Sequence, residues 1–543
     1  MNTMQLQDFF LKLNDDGKAL LLGNETDNPL CYGFNSKRTV HAGLNGVAID
    51  SALTQKAWKK LLDAPVEIIE KQAVYIHIPF CQTKCLYCGF FQNATNQAAE
   101  DHYIDCLLKE IRSECNEKRI QDSVIHTVFI GGGTPSSLSV ENATRLLREI
   151  KMRFNLANDY EMTLEGRIHD LVPQKIEAWL TSGVNRISLG VQSFNTKVRQ
   201  QMGRIDTKEQ ILYNLALLRA QQQCSIVVDL IYGLPNQTMQ IWEEDLRLLE
   251  IAQVDGMDLY QLNVYENSDL NKAIKSGKIT AAATTAQQAV MYNFAHDYLS
   301  KRPYTRLSAC HWRRDNRERS MYNTLAKQGC NIYPYGCGAG GKIDGYSTML
   351  NRNIKGYEEL ILAGKKPMMV LMKQSSLQPA VNEVLGQIEQ GYLDLQKLVQ
   401  LNEKLCELKM LFEIWEKRGL LTFNGVMYKL TIAGQFWQVN LAQSILECIQ
   451  AILLDESDVI RQDVAAQDNN QGTDPSDEKL LKITREIYPQ ISEDELKELV
   501  NMIPSHVKAM LKNMLPIMIK QVIKTMGQDK IQEMVEKARV NNP

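Results

Sequence analysis

Three cysteines packed into eight residues, Cys81-Gln-Thr-Lys-Cys85-Leu-Tyr-Cys88, directly follow the apolar run 74–78. Three thiolates at the end of one strand can hold an iron–sulfur cluster by three of its irons and leave the fourth open for chemistry. The competing reading is zinc, but a structural zinc site is normally closed by four ligands, and neither a second Cys-x-x-Cys nor a His-x-x-x-His is present. The chain therefore has to turn the end of this strand into an open, partly wrapped ligand site. The other nine of its 12 cysteines share no spacing and are too sparse for a disulfide scaffold, so they are expected to be buried as small hydrophobes.

What surrounds the cysteines reads as an α/β fold. Short apolar runs at 74–78, 127–130, 161–164, 186–189, 226–231 and 256–264 alternate with helical patterns such as 101–113, 139–154 and 173–181. Strands spaced by helices imply βαβ units and a parallel sheet. Six units fit a partial (β/α)6 barrel over residues 71–370, with its chemistry at the C-terminal strand ends. Residues 1–70 form an N-terminal extension in this reading. Residues 371–454, helices followed by two apolar runs around Asn424-Gly425, suggest a small winged-helix-like C-terminal domain. The polar stretch 455–477 cannot bury enough to order itself and is expected to be a linker. Residues 478–543 are expected to be a helical tail in which Met510, Met514 and Met518 share one face, as a bundle core or an adaptable apolar surface.

Charge and hydropathy remove several function classes. A net charge of -3 and a pI near 6.3 lack the basic footprint of phosphate-backbone binding, so no nucleic acid is expected. The first 12 residues lack a basic n-region and apolar core. The most apolar late stretch, 441–454, is broken by Gln443, Glu447 and Gln450, too short and polar to span a bilayer. A cytoplasmic location without a membrane span is the expectation.

A glycine turn, Gly131-Gly132-Gly133-Thr134-Pro135, ends the second strand and opens a helix, where backbone N–H groups can approach a carboxylate. Glu165, Gln192, Arg204 and Asp229 follow at or near later strand ends. Together with Tyr75-Ile-His-Ile-Pro-Phe-Cys81 and Tyr87 beside the last cysteine, the set resembles the radical S-adenosylmethionine (SAM) superfamily, and within it the coproporphyrinogen-oxidase-like branch, over about residues 73–340. The resemblance implies a [4Fe–4S] cluster on Cys81, Cys85 and Cys88. It also implies two SAM molecules held by Tyr75, Tyr87, Gly132, Gly133, Thr134, Glu165, Gln192, Arg204 and Asp229. Carboxylates suit ribose hydroxyl pairs and an arginine suits the SAM carboxylate.

Four features separate members of the branch. Phe90 stands where the dehydrogenases carry a fourth cysteine, and Cys310-His311-Trp312-Arg313-Arg314 departs from the heme chaperones. With Glu165-Gly-Arg167 and Tyr333-Pro-Tyr-Gly-Cys337-Gly-Ala-Gly-Gly341, the chain most resembles the anaerobic heme-degrading methyltransferases, the anaerobilin synthases. That family opens heme without oxygen, releases iron and adds a SAM-derived carbon to the linear tetrapyrrole. The resemblance implies heme as substrate, an electron donor such as flavodoxin or ferredoxin, and a heme donor or product-binding protein. Within the 310–314 segment, His311 could move a proton and Cys310 donate a hydrogen, while Trp312, Arg313 and Arg314 could stack on heme and pair with its propionates; a buried strand cysteine beside a solvated arginine face is the alternative. Gly336, Gly338 and Gly340 are expected to form a tight loop that either walls the second SAM site or the substrate or merely turns.

Overall fold

Strands apolar on both faces need cover on both sides, and the helices between them provide it. The computed structural model describes residues 5–453 apart from 40, 41, 45, 67–70, 90–92, 95 and 267; Phe90, the linker and the Met-rich tail lie outside the described residues. Strands β1 Gln72–Ile78, β2 Ile125–Gly132, β3 Leu156–Gly166, β4 Arg186–Gln192, β5 Ser225–Tyr232 and β6 Gly256–Gln261 run parallel and in sequence order. Helices α1 Gln97–Glu114, α2 Val140–Arg153, α3 Pro173–Thr181, α4 Lys208–Ala220 and α5 Met239–Ala252 make the crossovers. Side-chain oxygens of Asn96, Ser139, Thr207 and Thr238 accept first-turn N–H groups and fix where four of these helices begin. The expected α/β partial barrel is present.

The sheet extends beyond the six strands at both edges. After α6 Thr285–Ser300, strand β7 His311–Arg313 pairs antiparallel with β6. After α7 Met321–Gln328, β8 Ile332–Tyr335 pairs parallel with β1 on its other side. The antiparallel strands Gly340–Ile343, Tyr346–Leu350, Met368–Lys373 and Val47–Ala48 continue from there, and with Thr305–Arg306 outside β7 the sheet has 13 strands in an open order. The 336–340 stretch read as a glycine loop is therefore the tight turn between β8 and an antiparallel neighbour, with Gly336 and Gly338 at φ 96° and 87°.

Residues 378–430 combine α8 Gln378–Gln390, α9 Leu395–Leu401 and α10 Leu408–Lys417 with a three-stranded antiparallel sheet, the arrangement expected of a winged helix. Its wing turns at Gly425 (φ 93°), where Asn424 Oδ1 accepts the Val426 and Met427 N–H groups. The helix Gln438–Leu453 is largely buried, and no described helix is long and apolar enough to cross a membrane.

Residues 6–38 make contacts with this C-terminal part. Leu6 N donates to Glu407 (2.6 Å), Trp415 Nε1 to Leu22 O (3.0 Å) and Trp437 Nε1 to Pro29 O (2.9 Å). Arg38 Nη2 contacts both Glu447 oxygens at 2.6 and 2.8 Å.

Candidate active site

The cysteine loop begins where β1 ends. Cys81 closes the short strand Phe80–Cys81, and the loop is pinned by Cys88 N donating to Cys85 O (3.1 Å) and Leu86 N to Met202 O (3.3 Å). Gly203, at φ 81°, lets the loop pass: a Cβ there would lie 3.1 Å from Lys84 O. Thr134 Oγ1 donates to Cys81 Sγ (3.3 Å), and Arg167 reaches Cys85 Sγ (3.6 Å) and Thr83 Oγ1 (2.7 Å). Burial pushes the Cys81 thiol up, Thr134 and Arg167 oppose this, and the neighbouring Cys88 and Cys85 add to it, so the three sulfurs share one electrostatic environment.

Among the described residues, no three His, Cys, Asp or Glu side chains gather tightly enough to hold a single metal ion. The set on the loop, three thiols with hydroxyl and guanidinium donors, fits the larger [4Fe–4S] cluster, whose thiolates sit on separate irons. Arg167 stands in the sequence as part of Glu165-Gly-Arg167 but not among the expected site residues; its signal is its place two residues beyond Glu165, on the same strand-end loop.

The strand ends beside this loop carry the other expected residues. Gly132, at φ 114°, donates its N–H to Glu165 Oε2 (3.1 Å), and a Cβ on it would strike His77 Nε2 at 2.7 Å. Gly133 lies so close to Phe80 that a Cβ would sit 2.4 Å from its carbonyl oxygen. Tyr75 OH is 3.0 Å from His77 Nδ1, and its ring stacks against Phe129. Arg204 donates to Gly190 O (2.6 Å) and to Tyr87 OH (3.2 Å).

Gln192 adopts φ 72° at a register shift in β4, and its Oε1 is buried without a partner. His77 Nε2 is likewise buried and unpaired, and burial followed by the Arg352 charge holds this imidazole down at about 4, so it is neutral. Orphaned polar atoms cost free energy unless something meets them; here they border the cysteine loop. Glu165 is raised to about 7 by burial, against the Gly132 N–H. Asp229, which accepts from Ser188 Oγ (3.2 Å), is raised by burial and then by Asp258 and Glu165. Two buried carboxyls that act on each other and ionise late are suited to neutral hydroxyl ligands.

The segment 310–314 divides. Cys310 and His311 point at Asp258, which lies beside Asp229 across β5 and β6. Trp312 turns to the other face, buried edge-to-face against His296 of α6 at 5.3 Å. Arg313 pairs in register with Gly256, the first residue of β6, and Arg314 N donates to Asp255 O. Because β7 runs antiparallel, these arginines sit at the N-terminal ends of the barrel strands, away from the cysteine loop. The structure thus separates Trp312, Arg313 and Arg314 from the other site residues: alternation along a three-residue strand cannot direct four consecutive side chains into one pocket.

The glycine turn does border the site. Tyr103 OH donates to His77 O (2.6 Å) and accepts from Cys337 N (3.0 Å), while Gly336 N donates to Glu110 (2.9 Å). A Cβ on Gly336 would lie 2.5 Å from His77 O.

The radical SAM superfamily profile matches residues 75–249. The chain is 36% identical over 420 residues to the anaerobilin synthase of Escherichia coli O157:H7, covering 77% of this chain and 93% of that protein. It is 32% identical over 273 residues to the heme chaperone HemW of Lactococcus lactis, covering 50% of this chain and 70% of that one. Among solved structures, coproporphyrinogen III oxidase (HemN) of Escherichia coli, a radical SAM enzyme, superposes with a TM-score of 0.63 at 20% identity, covering 76% of this chain and 96% of that one, a likeness of fold.

Proposed function

Since the chain belongs to the radical SAM superfamily, whose members work with a [4Fe–4S] cluster and SAM, we propose that it is an oxygen-independent heme-degrading methyltransferase that opens the macrocycle, releases iron and forms a methylated linear tetrapyrrole. The observation that carries this reading is the near-full-length likeness to an anaerobilin synthase, over 93% of that protein. The chaperone relative matches only half of this chain.

Cys81, Cys85 and Cys88 hold the cluster in this proposal. The cluster and SAM, when bound, supply a 5′-deoxyadenosyl radical. The chain's own residues do the rest by binding and orientation. Gly132, Gly133 and Thr134 offer a backbone approach to one SAM, and Tyr87 packs near its adenine. Arg204 pairs with a SAM carboxylate, and Glu165 and Asp229 take ribose hydroxyls. Tyr75 and the unpaired Gln192 oxygen complete a polar set larger than one SAM requires, which supports a second SAM as the source of the transferred carbon. Heme enters from the C-terminal end of the strands. A low-potential carrier of the flavodoxin or ferredoxin class supplies electrons, and a heme donor or product-binding protein completes the partners.

The test is optical. Anaerobically reconstituted protein, heme, SAM and a strong reductant should lose the Soret band with release of iron. An intact Soret band with heme bound would assign a chaperone role. Decarboxylation of added coproporphyrinogen would assign an oxidative decarboxylase.

A further inference from the structure

A column of buried charge runs from the floor of the barrel toward the SAM residues. Arg186 Nε contacts Glu318 at 3.0 and 3.1 Å, Ser225 Oγ donates to Glu318 (2.7 Å), and Glu318 Oε1 lies 3.1 Å from His311 Nε2. His311 Nδ1 lies 3.0 Å from Asp258 Oδ2, and the other Asp258 oxygen accepts the Cys310 thiol at 3.4 Å. Arg186, Glu318, His311 and Asp258 are 2, 0, 1 and 3% exposed, so two positive and two negative charges face one another out of water, with Arg186 Nη2 left without a hydrogen-bond partner. Cys310 is the end of the column that stays partly open.

Cys310 and Asp258 act electrostatically on Tyr260, which Asp229 and Glu165 also reach. Cys310 donates to Asp258, which pairs in register with Asp229, so the thiol lies on the same face of the sheet as that expected SAM residue. Its other charged and titratable neighbours are Lys327 of α7, Glu389 of α8, Tyr232 of β5 and Tyr292 of α6.

We propose that Asp258 is a positioning residue that holds Cys310 as a protonated thiol on the Asp229 face of the sheet, and that Cys310 gives a hydrogen atom to a carbon radical left on the tetrapyrrole. The inference deepens the function proposed above and rests on it for the identity of the substrate. In the step, the S–H bond breaks and a C–H bond forms, leaving a thiyl. One electron from the low-potential one-electron donor and one proton from the His311 imidazolium, passed by way of Asp258, restore the thiol. His311 touches Asp258 and Glu318, and so acts through Asp258.

Two experiments separate this inference from the function beneath it. In unloaded protein, the alkylation rate of Cys310 is followed by peptide mass spectrometry, with Cys337 as internal control. Asp258→Asn removes the charge that disfavours thiolate, so Cys310 should react about tenfold faster at pH 8, with Cys337 unchanged. An unchanged Cys310 rate overturns the proposal. If Asp258→Asn fails to fold, the neutral pair Asp258→Asn with His311→Gln serves in its place, with the same outcomes. In loaded protein turning over in D2O, the product should carry one non-exchangeable carbon-bound deuterium that Cys310→Ala loses; a product free of deuterium from the unaltered protein overturns the donor role. Heme left unconsumed by the unaltered protein would sink the proposed function, while the alkylation result would still report on Asp258.

Discussion

The His311 column makes stability depend on pH in a direction that few buried histidines give. Burial alone would lower this imidazole, but Asp258 and Glu318 outweigh it and raise it to about 9. Its folded-state value therefore exceeds its unfolded value of about 6.5. Folding captures a proton, so the stabilisation is fully present below about pH 6.5 and is lost as pH rises through 9. A shift of about 2.5 units corresponds to roughly 3 kcal/mol. We predict that His311→Gln costs about 3 kcal/mol at pH 6 and little at pH 9.5. Urea unfolding of the metal-free protein, followed by tryptophan fluorescence across that range, measures the difference; subtracting the variant removes contributions from other groups. Parallel stability curves for the two proteins would refute the reasoning, because they would mean that His311 is neutral in the fold. Glu318→Gln leaves Arg186 and His311 short of one negative charge and should cost about 3–5 kcal/mol at pH 7.

Alanine at Cys81, Cys85 or Cys88 should abolish cluster assembly while Cys310→Ala and Cys337→Ala retain a four-iron cluster, as judged by iron and sulfide content and absorbance. Glu165→Gln should stabilise the metal-free protein at pH 8, since a carboxyl raised to about 7 is ionised there against its burial; it should also weaken SAM binding at least tenfold, and equilibrium dialysis with unchanged affinity would count against the site. Arg313→Ala with Arg314→Ala should leave heme affinity within about twofold, because both lie at the far end of the barrel; a loss of ten times or more would return them to the heme site. Heme loss should yield S-adenosylhomocysteine and 5′-deoxyadenosine in step, and 5′-deoxyadenosine alone would indicate one SAM per turnover.

The six parallel strands and the cysteine loop were legible because their signals are local: alternating apolar runs, strand-end glycines, three thiols in eight residues. Asp258, Arg186 and Glu318 were not. Each is an ordinary charged residue in sequence, and only the pairing of β6 with β7 and the return of residues 314–320 beneath the barrel bring them to His311. The misplacement of Trp312 to Arg314 has the same root. Composition suggested a pocket, but strand alternation and an antiparallel direction, neither visible in four residues, sent the side chains to opposite faces and ends. Strand β8 was hidden because Pro334 and the following glycines read as a turn, whereas its pairing partner is β1, more than 250 residues earlier.

The clasp between residues 6–38 and the C-terminal part also sets a timetable for synthesis. Arg38 and Glu447 are 409 positions apart, and Leu6 and Glu407 are 401. At about 5–20 residues per second, a ribosome needs roughly 20–80 s to make that interval. Once residue 261 is made, the six barrel strands are available to pair while the leading segment still has nothing to hold. The cysteine loop therefore emerges well before residues 6–38 meet residues 407–447, and a truncation before residue 407 would leave that leading segment without these partners.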